Sequence, residues 1–157
     1  ISVVKASENG WWVADIIHGR WGVKETAKQI FMAQQKYQPI AIGIEKGALK
    51  NAVAPYLNDL MKEYQRFFNV QELTHGNKRK IDRIVWALQG RFEHGKITLN
   101  VGDWNMEFLD ELYQFPNKLV HDDLIDSLAY VDQLANIIYD LGYEEDEYEP
   151  IDDYTGY

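Results

Sequence analysis

The sequence predicts an α/β fold, and three observations carry that prediction. Runs rich in β-branched and aromatic residues alternate with amphipathic stretches, as strands and helices taken in turn would. One such run, "IAIGIE" at residues 40–45, is apolar without alternation, which suits a strand covered on both faces. The chain opens on two strand-like runs separated by "SENG", whose Asn9-Gly10 is a strong tight-turn signal.

Each element follows from its own residues. "ISVVKA" and "WWVADIIH" flank the turn, so residues 1–18 are predicted to form an antiparallel hairpin. Val23, Ala27, Ile30, Phe31 and Gln34 recur at helical spacing and predict a helix over 23–36. The strand at 40–45 ends in a charged residue, Glu45. A second helix is expected over 49–65, with Pro55 marking either a first-turn position or a kink. "FNVQEL" at 68–73 suits a strand, and Ile81, Ile84, Val85 and Leu88 predict an amphipathic helix stopped near Gly90. "GKITLN" suits an edge strand, residues 103–113 a short helix and 119–139 the longest helix. On that last helix Leu124, Leu128, Val131, Ala135 and Ile138 form one core-facing stripe.

Composition narrows the function. With 157 residues and 46% hydrophobic content the chain can bury one core, so a single domain over residues 1–139 is expected. The absence of cysteine excludes disulfides, thiolate zinc sites and Cys nucleophiles, and suits a reducing cytoplasm. No apolar run approaches membrane-spanning length, and no signal peptide is expected ahead of the domain. The net charge of −9 argues at first against a nucleic-acid partner, but eight acids lie in residues 140–157, predicted to be a flexible acidic tail. Residues 1–139 then hold 17 acids against 16 bases. Their densest basic stretch is "HGNKRKIDR", where Lys78, Arg79, Lys80 and Arg83 are candidate contacts to DNA phosphates or simply a solvated helix start.

The remaining candidates have plainer readings. Trp11, Trp12 and Trp21 are expected to pack, and His18, His75 and His94 to lie on the surface, since they share no metal-ligand spacing. "GRFEHGK" allows a hairpin near DNA but suits a solvent turn better. No phosphate-cradling G-x-x-x-x-G-K-[ST] motif occurs, nor any Ser or Thr nucleophile signature.

The stretch "NKLVHDDLIDSLAY" places Asp122, Asp123 and Asp126 at the start of an apolar helix, although like charges repel there. Capping explains one or two of them. At about 100° per residue, all three share a face away from the core stripe, so they can also point at one hard cation, with His121 close by. Glu45 is the natural second contributor, because strand ends in an α/β sheet face the ligand crevice.

The order of hairpin, "PIAIGIEKGALKNAV", "KRKIDRI", "GRFEHGKITL" and "HDDLIDSLAY" resembles the nuclease domain of the large terminase subunit of tailed bacteriophages, over about residues 1–135. The resemblance implies an RNase H-like mixed sheet flanked by helices, shared with RuvC-type resolvases. It implies an endonuclease that cuts concatemeric double-stranded DNA with two Mg²⁺ or Mn²⁺ ions, in the host cytoplasm. By resemblance Glu45 matches the strand glutamate, and Asp123 with Asp122 or Asp126 matches the C-terminal aspartate site; which of the three binds metal directly stays open. Implied partners are DNA, the terminase ATPase domain, the small terminase subunit and the portal. The family's first aspartate lies on a strand just before the hairpin, and this chain opens on what corresponds to the second strand, so that first strand is expected to be missing and activity of the chain alone to be low. Asp15 is a poor substitute for it. A RuvC-like resolvase and a non-catalytic DNA-docking module are the alternatives.

Overall fold

In a computed structural model, which describes residues 1–74, 76–117 and 119–140, the predicted alternation of strands and helices is found. The hairpin forms from β1 (Ser2–Ser7) and β2 (Gly10–Ile16), paired antiparallel with Ser7 opposite Gly10. Gly10 has φ +143°, and a Cβ there would stand 2.6 Å from the carbonyl oxygen of Lys96, so only glycine fits the turn. The edge strand β5 (Ile97–Leu99) runs parallel to β2, giving the order β1-β2-β5. A second, two-stranded sheet pairs β3 (Ile42–Glu45) parallel to β4 (Val70–Leu73).

Five helices connect and cover these strands among the described residues: α1 (Val23–Tyr37), α2 (Ala48–Glu63), α3 (Lys80–Glu93), α4 (Asn105–Gln114) and α5 (Asp123–Asp140). One core gathers Val13, Phe108, Ile125 and Leu128, all essentially buried, between the three-stranded sheet and helices α3, α4 and α5. A second, built on Val53, Leu57 and Phe31, joins α1 and α2 to β3. Helix α5 lies against β1, β3, β4, α3 and α4, so one element bridges both sheets.

Two predicted boundaries need correction, and two readings left open by the sequence are decided. Helix α3 does not stop at Gly90: it runs to Glu93 and closes where Gly95, at φ +63°, donates to the carbonyl of Phe92 while Lys96 donates to that of Arg91. A lone glycine inside a helix costs only about 1 kcal/mol against alanine, too little to end a well-packed helix. "GRFEHGK" is therefore helix end and turn, not hairpin, and Arg91 pairs with Asp132 and stacks on Trp11. Pro55 sits inside α2, beyond its first turn. Helix α5 starts at Asp123 rather than 119, because Leu119 is 93% exposed and has no core to reach, and the carbonyl of Asp122 accepts the amide of Asp126 as a cap residue's would. Its buried face is also wider than the predicted stripe, taking in Ile125, Ala129 and Tyr130. His75 and nearly all of the acidic 140–157 segment lie outside the described residues.

Candidate active site

Glu45 is the last residue of β3, held in register opposite Leu73, and Gly47 at φ +133° turns the chain directly into α2. That short exit leaves the glutamate at the sheet's end. Here β1 and β3, each paired on one side only among the described strands, border a cavity of about 370 Å³. Glu45, Asp123, Asp126, Ser127 and Tyr130 line it together, although they come from distant parts of the sequence.

The start of α5 is fixed from beneath. Glu111 of α4, only 5% exposed, accepts the amides of Leu124 (2.8 Å) and Ile125 (3.2 Å) through Oε2. Those are two of the donors that a helix N-terminus leaves without an internal partner. Burial pushes the Glu111 carboxyl above the usual range against these two hydrogen bonds, and the nearby charges of Asp123 and Asp122 push the same way. Capping of those amides is thus supplied by another helix, and the aspartates are turned to other partners.

Those partners stand on α3. The Nζ of Lys80 lies 2.6 Å from Asp122, 3.4 Å from Asp126 and 3.8 Å from Asp123. Arg83 donates to Asp126 at 2.5 Å and lays its guanidinium 4.4 Å from the centre of the Tyr130 ring. Burial lowers the Lys80 pKa, but the hydrogen bond it donates to Asp122 and the charges of Asp126, Asp122 and Asp123 outweigh it and leave the ammonium above its usual range. The Tyr130 hydroxyl is pushed up to about 12, first by burial, with Arg83 opposing and the charges of Glu45 and Asp126 adding to it. Tyr130 is thus a protonated hydroxyl within electrostatic reach of both carboxylates.

The structure brings Glu45, Asp123 and Asp126 onto one cavity and leaves Asp122 beside it, tied to Lys80. Lys80 and Arg83 face the carboxylates. Lys78 lies 5.6 Å over the ring of Trp86, and Arg79, 85% exposed, forks onto Asp82 at 2.8 and 3.1 Å. His121 is exposed and does not line the cavity. Asp15 accepts from the hydroxyl of Tyr37, a cavity-lining residue, at 2.5 Å and lies 3.6 Å from Lys36, but does not itself line the cavity. Sequence reasoning missed Glu111, which lies on a helix with no motif of its own, and Tyr130, whose signal was available: it lies one turn beyond Asp126.

Carboxylate oxygens suit a hard cation such as Mg²⁺ or Mn²⁺. Among the described residues, however, no three acids or histidines are grouped as metal ligands would be, and the ammonium of Lys80 stands among the aspartate oxygens instead. The donor chemistry fits the cation, and the present side-chain positions do not.

A family model described as the terminase RNaseH-like domain matches residues 1–132, most of the chain. The chain belongs to that family. The matched span of the terminase domain holds Glu45 and the start of α5, together with both sheets. A comparison with curated proteins found no match. Among the described residues of the terminase domain, no helix is long and apolar enough to cross a membrane.

Proposed function

We propose that this terminase domain is a metal-dependent endonuclease of a phage DNA-packaging motor, cutting concatemeric double-stranded DNA by phosphodiester hydrolysis. The observation that supports this is the meeting of Glu45, Asp123 and Asp126 on one cavity in a domain of this family. In this reading those residues, with Asp122 adjoining, hold Mg²⁺ or Mn²⁺, and two such ions would supply an activated water and charge neutralisation at the leaving 3′ oxygen.

The protein's own part is to position and to bind. Arg83 orients the Asp126 carboxylate, Glu111 anchors the helix start, and Tyr130 offers a hydroxyl donor near Glu45 and Asp126. Of the basic run, Lys78 and Arg79 are exposed and would meet DNA phosphates sequence-independently, whereas Lys80 and Arg83 are committed to the aspartates. The working context is the host cytoplasm, with the terminase ATPase domain, the small subunit and the portal as partners. The resemblance puts one more aspartate on a strand ahead of the hairpin. The cavity between the edges of β1 and β3 is where such a strand would lie.

A second reading, a non-catalytic DNA-docking module, is favoured by the ion pairs that already neutralise the aspartates. Nicking of supercoiled plasmid separates the two. Slow nicking in Mn²⁺ that EDTA, Glu45→Gln and Asp126→Asn each abolish supports the nuclease. Tight DNA binding with no nicking at any metal concentration supports docking, and nicking that survives both substitutions contradicts the assignment of the site.

A further inference from the structure

Lys80 and Arg83 both bind aspartates from α3, but they are held differently. Arg83 is 12% exposed, one turn into the helix and stacked on Tyr130, so its guanidinium is fixed from two sides. Lys80 is the first residue of α3 and 41% exposed, and its ammonium sits on a flexible four-carbon stem. A single point charge therefore lies within ion-pairing distance of three aspartates while keeping a path to solvent. Any divalent cation shared by Asp123 and Asp126 needs oxygens that Lys80 now neutralises.

We propose that Lys80 is a built-in counter-cation, a positioning residue that fills the aspartate cluster when no divalent cation is bound and must swing out for one to enter. This rests on the reading above that these carboxylates hold a cation. Two consequences follow from charge. Without Lys80, Asp122, Asp123 and Asp126 would repel one another across the helix start with only Arg83 of the pair left on them, so the lysine keeps the cation-free cluster assembled. The same ion pairing opposes the cation, so the lysine lowers the affinity of the site and keeps it from filling at low metal concentration.

Manganese binding to the full 157-residue chain tests this, by calorimetry and by loss of the free Mn²⁺ spin-resonance signal, for the wild type, Lys80→Gln, Lys80→Arg and Asp126→Asn. Lys80→Gln is expected to bind Mn²⁺ tighter by about tenfold, within the usual range for two coupled ligands. Lys80→Arg keeps the charge and should stay within a few-fold of wild type, and Asp126→Asn should lose the site. Thermal melts give a second readout: the Tm of Lys80→Gln should be lower than wild type in EDTA and should rise more steeply with added Mn²⁺. Equal or weaker binding by Lys80→Gln, with the site still lost in Asp126→Asn, overturns the displacement idea and leaves the metal site standing. Absence of Mn²⁺ binding in every chain, Lys80→Gln included, removes the metal site and this proposal with it.

Discussion

The two sides of the α5 start treat carboxylates in opposite ways. Beneath it, Glu111 is buried and satisfied by backbone amides of Leu124 and Ile125, which have nowhere else to go. Above it, Asp122, Asp123 and Asp126 share one side-chain cation that can leave, Lys80, while Arg83 stays fixed on Asp126. A carboxylate bound by backbone amides is part of the fold. One bound by a flexible side chain can change partners, and that is the property a ligand site requires.

Substitutions can break this contrast, and Arg83 should give the largest effect on stability. Arg83→Met removes the 2.5 Å ion pair to Asp126, 15% exposed, leaving the longer one to Lys80, and removes the stacking on Tyr130. Breaking a buried ion pair on one side costs roughly 3–5 kcal/mol, and the remaining lysine should bring this to about 3 kcal/mol in urea unfolding. Glu111→Ala comes next, at about 2 kcal/mol, because two buried amides lose their acceptor. A loss below about 0.5 kcal/mol there would show that water or another side chain caps α5.

Glu111 also gives the comparison a pH signature. Its folded pKa lies above the reference 4.5, so the folded state binds the proton more tightly than the unfolded chain does. The contribution of Glu111 to stability is therefore favourable below that reference value and declines as pH rises through the interval just above it. Relative to Glu111→Gln, which cannot titrate, the wild type should lose stability across that interval; a difference that is flat with pH would mean the carboxyl is not perturbed.

The smallest effects on stability belong to the exposed basic residues. Replacing Lys78 and Arg79 together by Ala should leave the melting temperature nearly unchanged, since Arg79 is 85% exposed and its fork with Asp82 lies at the surface. It should instead flatten the salt dependence of DNA binding, by roughly 0.9 in the log–log slope for each phosphate no longer neutralised. An unchanged slope would assign both residues to solvation.

Local signals made much of the fold legible. Asn9-Gly10 announced the hairpin, the apolar "IAIGIE" the strand β3, although only Ile44 of it is buried, and "GKITLN" the edge strand. Gly90 misled because a glycine's modest local penalty was outweighed by the packing of Ile84, Ala87 and Leu88 around it. In the site, residue type and element ends pointed to Glu45, Asp123 and Asp126, because a carboxylate at an element end is visible in sequence. The roles of Lys80, Arg83 and Glu111 were hidden. Each depends on how α3 or α4 packs against α5, and no spacing within one helix encodes which way a neighbouring helix presents its charges.

The central claim is that Glu45 and the α5 aspartates serve one cation, and a double-substitution cycle in Mn²⁺ affinity tests it most directly. The wild type, Glu45→Gln, Asp126→Asn and the double variant would be titrated under one buffer and salt. A shared ion predicts that each single substitution weakens binding by at least about tenfold and that the double variant loses clearly less than the sum of the two, since the ligands act together. Independent, additive losses, or full affinity in Glu45→Gln, would mean that the glutamate and the aspartates face one cavity without serving one ion.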